Sequence, residues 1–138
     1  MASGLELRCL RLDPRAVLPT QAYERAAAYD LYCLESVLAV GVTEIRTGLA
    51  IQVPKDHVGL ILTKSGLAKR GIQVLGGVID EDYRGEWFVI LQTKLAHIFK
   101  PRDKIAQFVI VPLWKGNLLE VMELDSTERG TKGFGSSG

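Results

Sequence analysis

Cysteine, histidine and unbroken hydrophobic runs are all scarce in this chain of 138 residues. Cys9 and Cys33 are its two cysteines. They could pair, but two cysteines in a chain this apolar make no disulfide framework, and they read as buried free thiols suited to a reducing compartment. His57 and His97 have no cysteine or second histidine at ligand spacing, so no zinc site is expected. The most apolar stretch, Ile105 to Leu113, contains Gln107 and Pro112, whereas crossing a membrane takes ~20 apolar residues. The start, Met1 to Glu6, lacks a basic segment followed by an apolar one, the pattern of a signal peptide. A soluble, intracellular protein of cytoplasm or nucleus is the expectation. Charge of one sign is also missing: 17 Lys and Arg against 16 Asp and Glu leave a net +1. Such balance gives no general pull toward nucleic acid or anionic membrane, so a bound polyanion would need a local cluster of basic groups.

What is present is a core. Hydrophobic residues make up 47% of the chain and charged ones 24%, a globular profile, and the length suits one domain of ~100–150 residues. The apolar pattern is short and alternating, as strands require. It runs through Leu5–Leu12, Val37–Val42, Ile45–Val53, Val58–Leu62, Ile72–Leu75, Trp87–Leu91, Ile105–Leu113 and Leu118–Val121. Turn residues separate these runs, among them Pro54 to Asp56, Gly76-Gly77, Lys100 to Asp103 and Lys115 to Asn117. Many short strands at this spacing predict an all-β fold, a jelly-roll-like sandwich or barrel. Helix is limited to Ala22–Ala28, by composition, and one turn at Ser65–Arg70 with Ser65 as its cap. There is no repeat and no interdomain linker. Residues 1–128 form the β domain, and 129–138 form a Gly- and Ser-rich tail of a kind usually disordered.

Three segments carry chemistry, each with a plainer reading beside it. Lys64, Ser65 and Gly66 put a cation, a hydroxyl and a glycine at a strand end, where free helix-start amides would favour an anion; an ordinary capped turn is the plainer reading. Gly76 to Glu86 reads as a β-hairpin whose glycines allow close backbone approach. In an extended chain its Asp80 and Asp82 would share one face, able to position a water or bind Mg²⁺ through water. A solvated acidic turn is the plainer reading. In the tail, Arg129 and Lys132 supply charge, Ser136 and Ser137 hydroxyls, and the glycines exposed amides, all suited to phosphate. Phe134 gains nothing in such a tail unless it packs or stacks on something.

Taken in order, these segments resemble the five motifs of the trimeric all-β dUTPase family, across most of the chain. Ala28 to Leu31 is similar to the first motif and Lys64 to Ala68 to the second. Gly77 to Gly85 matches the third closely, Asp103 to Gln107 is similar to the fourth, and Arg129 to Gly138 to the fifth. The resemblance implies a Mg²⁺-dependent enzyme that hydrolyses dUTP to dUMP and pyrophosphate, keeping uracil out of DNA and supplying dUMP for thymidylate synthesis. It implies that Asp80 activates the water that attacks the α-phosphorus. Gly77 and Ile79 would bind uracil through backbone groups, and Tyr83 would pack on the deoxyribose and exclude a ribose hydroxyl. Lys64, Ser65, Gly66 and Gln107 would hold phosphates, and Asp30 would meet the Mg²⁺ hydration shell. Arg129 would hold the γ-phosphate while Phe134, Gly135 and Ser136 close over the nucleotide. It further implies a homotrimer with each site shared among subunits, and neither nucleic acid nor membrane as a partner.

The chain departs from the family pattern in places. Lys64 stands where arginine is usual, exchanging a bidentate fork for a point charge. Ala28 replaces a usual glycine, Arg102 sits where glycine commonly precedes Asp103, Lys104 replaces arginine, Lys132 a frequent glycine and Ser137 a frequent threonine. Asp80, Tyr83, Arg129 and Phe134 are untouched. The related dCTP deaminase shares the fold, but Asp80, Tyr83 and the short chain favour the dUTPase. A non-catalytic signalling relative would be expected to lose Asp80 or the tail, and both are kept.

Overall fold

The computed structural model describes residues 5–133 and Gly135, and within them the chain is nearly all β. Nine strands are described: β1 Arg8–Arg11, β2 Tyr29–Tyr32, β3 Val37–Arg46, β4 Leu49–Gln52, β5 His57–Leu62, β6 Ile72–Leu75, β7 Val78–Ile79, β8 Phe88–Phe99 and β9 Lys104–Pro112. One helical turn, α1, spans Ser65–Ala68. The strands make three antiparallel sheets in the orders β1-β4, β2-β9-β5-β7 and β3-β8-β6. Alternation places one side of the longer strands inward, whereas β4 buries Leu49, Ala50 and Ile51 in succession. Leu31, Ile45, Ile51, Leu91, Ile105 and Phe108 are fully buried between the sheets. Trp87 meets Phe108 edge-on, ring centres 5.0 Å apart, and Tyr29 stacks on Phe108 from the β2 side. Such aromatic pairs add to the area they bury. Both cysteines are free, and burial raises both thiols.

Several local expectations give way. Leu118–Val121 forms no strand; Leu118, Leu119 and Val121 lie in an exposed stretch that leaves the sheets after Pro112. An alternating run becomes a strand only beside a neighbour that takes its amides, and no described strand pairs with this one. Ala22–Ala28 forms turns rather than helix, with Ala26 N–H donating to Tyr23 O and Gln21 Nε2 to Ala26 O. Seven residues are too few to nucleate a helix without packing. The turn at Ser65 is present, but Lys64 occupies the cap position in extended conformation, with no side-chain cap bond. β2 and the outer half of β8 were not foreseen, because Asp30, Lys94 and His97 interrupt their apolar pattern.

The segment from Gly76 to Glu86 is not a hairpin. β6 pairs with β8, whereas β7 pairs with β5 in another sheet. The chain therefore crosses between sheets at Gly76-Gly77. Asp80 to Tyr83 is a turn, closed by Tyr83 N–H to Asp80 O at 3.2 Å, so Asp80 and Asp82 do not share a strand face.

Candidate active site

The crossing builds a recess. Gly77 has φ +101°, and a Cβ there would lie 2.6 Å from the Ile61 carbonyl oxygen, nearer than any real Cβ stands. Ile61 N–H donates to Gly77 O at 2.8 Å, so the two backbones run in direct contact. Only glycine permits both the conformation and the approach. Ile61, Gly77, Ile79, Asp80, Tyr83 and Phe88 line the recess. Apolar walls, nearby peptide groups and an exposed carboxylate suit a small planar polar ring with something reactive beside it.

Tyr83 is held at the rim. Its hydroxyl donates to the Glu86 carbonyl at 2.7 Å. A Cβ on Gly85 would stand 2.6 Å from that hydroxyl, so the missing side chain is what lets the ring lie back along its own turn. The Glu86 carboxylate accepts Arg46 Nε and a second guanidinium nitrogen, both at 3.1 Å, and Gly48 N–H at 3.0 Å. This bidentate pair raises Arg46 above its ordinary value.

A second group collects charge. Asp30, Gln107 and Leu62 form one row across β2, β9 and β5, since Gln107 is opposite both others. Gln107 Nε2 donates to Thr63 O at 3.0 Å, tying β9 to the residue before Lys64. Asp30 is buried, and its two oxygens face Lys64 Nζ at 2.5 Å and Lys104 Nζ at 3.3 Å. α1 begins at Ser65, so the Ser65 and Gly66 amides precede any carbonyl of their own helix that could accept them. Two ammonium groups, an amide side chain and two free-facing amides form a local cluster able to hold a polyanion. A chain of net charge +1 has no general attraction to offer one, so a local cluster of this kind is what could hold it.

A model of the dUTPase family matches residues 15–138. The chain belongs to the dUTPase family. It is 43% identical over 133 residues to the deoxyuridine 5′-triphosphate nucleotidohydrolase of Paramecium bursaria Chlorella virus 1, covering 93% of this chain and 94% of that one. The enzyme of the same name from Wolinella succinogenes is 43% identical over 141 residues, covering 97% and 95%. Among solved structures, the Staphylococcus bacteriophage 80alpha dUTPase with dUpNHpp superposes with a TM-score of 0.84 at 28% identity, covering 96% of this chain and 98% of that one.

Against the family motifs, the fold brings together two groups and leaves a third apart. Gly77, Ile79, Asp80 and Tyr83 share the recess; Asp30, Lys64, Ser65, Gly66 and Gln107 share the charged row. Both hang on the end of β5, through Ile61 and through Leu62 to Lys64. Arg129 lies in the exposed stretch and bonds locally, Nε donating to Lys132 O at 2.6 Å. Gly135 is likewise exposed, and Phe134 and Ser136 fall outside the described residues. Sequence reasoning did not single out Lys104 as a partner of Asp30, nor the Arg46–Glu86 pair. Lys104 had the signal of lying three residues before Gln107. Arg46 had none, since it closes an ordinary alternating strand.

Proposed function

We propose that this dUTPase-family chain hydrolyses dUTP to dUMP and pyrophosphate by attack of water on the α-phosphorus. The observation that carries the reading is the Gly77–Ile61 backbone contact, which shapes a recess with Asp80 and Tyr83 at its mouth. Uracil enters the recess and is read by peptide groups of the Gly77–Ile79 segment. The tight walls leave no room for the methyl of thymine, and a base lacking the right edge would strand buried polar groups. Tyr83 packs on the deoxyribose. Asp80, exposed at the mouth of the recess, orients the water and accepts its proton as the oxygen attacks. Lys64, Ser65, Gly66 and Gln107 bind the phosphate chain, with Lys64 released from Asp30 as it does so.

Magnesium is part of the proposal as a companion of the triphosphate. Among the described residues no three of His, Cys, Asp and Glu converge on one point. Both oxygens of Asp30 already face ammonium groups. A protein cage for the ion does not fit, but Mg²⁺ is commonly held by substrate phosphates and water with one or two carboxylates. Asp30, once Lys64 turns to the phosphates, would meet that ion through water, and the ion would supply neutralisation of phosphate charge.

The arm supplies the remaining groups. Arg129 takes the γ-phosphate and residues 134–136 close over the base, excluding water. Arg129 makes its bonds within the exposed stretch. That placement supports a homotrimer in which a neighbour's arm completes each site. The deciding experiment is pyrophosphate release from dUTP, dTTP, UTP and dCTP, with and without Mg²⁺. Turnover of dUTP alone, dependent on Mg²⁺, is expected. Binding of dUTP with no turnover would instead make the chain a nucleotide-sensing module.

A further inference from the structure

The recess rim is held in part by residues outside the family motifs named above: Arg46, Gly48 and Glu86. Tyr83 takes its pose from two features of its own turn: the Glu86 carbonyl that accepts its hydroxyl, and the missing Cβ of Gly85. That carbonyl belongs to a residue whose side chain is pinned. The Glu86 carboxylate is only 12% exposed and takes three hydrogen bonds, two from Arg46 and one from Gly48 N–H. Arg46 ends β3 and lies 40 residues away in sequence. It is drawn the same way by Glu35 at 3.8 Å, which also reaches Arg15 at 3.9 Å. Asp82, Tyr83 and Arg84 are all exposed, and the turn's other bonds, Arg84 to the Glu81 and Tyr83 carbonyls and Asp56 N–H to the Glu81 carboxylate, hold its backbone and not the Tyr83 ring. A carboxylate fixed by a guanidinium fork and a peptide amide has one orientation available, and its own backbone follows.

We propose that Glu86, clamped by Arg46 and Gly48, is a positioning residue that fixes Tyr83 and so sets how strongly ribonucleotides are rejected. This rests on the reading of function above, in which Tyr83 packs on the deoxyribose. A ribose adds a single hydroxyl, which a wall repels only if the wall cannot retreat. The Glu86 carbonyl shares a planar peptide with the Trp87 N–H, which holds it from one side; the clamp holds the other side, through the Glu86 Cα. Without the clamp, the turn that carries Tyr83 shifts against that carbonyl, the phenol's bond loosens, and the ring yields to the 2′-hydroxyl. The fold is kept by separate bonds: Trp87 N–H donates to Leu49 O at 2.8 Å, and Thr47 Oγ1 donates to Trp87 O at 2.6 Å.

The test is kcat and KM for dUTP and for UTP in Glu86→Gln and Arg46→Met, each made in the wild-type and in the Tyr83→Phe background. On the wild-type background the dUTP-to-UTP preference should fall about tenfold, the scale of one lost charged hydrogen bond. Most of that fall should come through KM. On the Tyr83→Phe background the same substitutions should leave the preference nearly as they find it, because the fixed phenol is already gone. Arg46→Lys, which keeps the charge and loses the fork, should fall between. An unchanged preference, or an equal loss on both backgrounds, would overturn the proposal. If Glu86→Gln does not fold, Arg46→Met decides alone, since Arg46 is 41% exposed. Wild-type protein that hydrolyses neither nucleotide overturns the functional reading instead. The same preference is then read from Kd values for dUTP and UTP.

Discussion

Gly77 and Ile61 meet backbone to backbone, with Ile61 N–H donating to Gly77 O at 2.8 Å and no space for a Cβ between them. Gly76, next in the chain, shares a positive φ of +65° but has nothing within 4 Å of where a Cβ would stand. The pair separates conformational strain from steric contact. Gly76→Ala should cost only the strain of a left-handed residue, about 1–2 kcal/mol. Gly77→Ala should cost more and abolish most turnover, because the clash is with a carbonyl that cannot swing away. Thermal denaturation and dUTP hydrolysis of the two variants check this, and equal losses would remove the contact from the account.

Asp80→Asn should fold with unchanged thermal stability, because Asp80 is exposed and makes only backbone turn contacts. It should still bind nucleotide while kcat falls roughly 10²–10⁴-fold, the range typical of a lost general base. A near-normal rate would take Asp80 out of the mechanism.

Asp30 is the buried end of the charged row, and removing its charge leaves two lysines without their counterion. Lys64 and Lys104 keep 26% and 48% of their side chains in water. Solvent therefore softens the loss, and Asp30→Asn should cost about 1 kcal/mol. Lys64→Met should act differently, raising the KM for dUTP more than it lowers stability, with Lys64→Arg restoring the KM. Denaturation midpoints beside steady-state kinetics distinguish the two effects. A Lys64→Met protein with normal KM would show that this cation does not meet phosphate.

Deleting the chain from Arg129 should leave the fold and its assembly intact but nearly inactive. Arg129, Gly130 and Lys132 bond only to neighbours within this stretch, so nothing in the sheets depends on them. Circular dichroism, light scattering and pyrophosphate release on the truncated chain check it. An unfolded product would make the tail structural.

Much of this was legible in the residues. Period-two alternation bounded by Gly, Pro and Asp marked most strands because a sheet buried on one side requires it, and β5, β6 and β9 lie where the pattern put them. The failures share a cause. Leu118 to Val121 has strand alternation, yet alternation only makes a residue able to pair; a partner must be within reach. Gly76 to Glu86 has hairpin composition, yet the strands on either side of Gly76-Gly77 find better neighbours in β8 and β5 than in each other. Ser65 has cap chemistry, yet the chain enters the turn one residue earlier, at Lys64.

The sequence alone determined the class of fold and the glycines that could tolerate unusual backbone, and it named the residues proposed to act on a phosphoanhydride. Local propensity and side-chain chemistry are properties of single residues and short windows, so they can be read in order along the chain. Which residues meet was decided only by tertiary structure. Asp30 reaches Lys64 and Lys104 through the register of β2, β9 and β5, and Arg46 reaches Glu86 across 40 residues of chain. Those pairings depend on how whole sheets pack, a property carried by the sum of the core rather than by any motif.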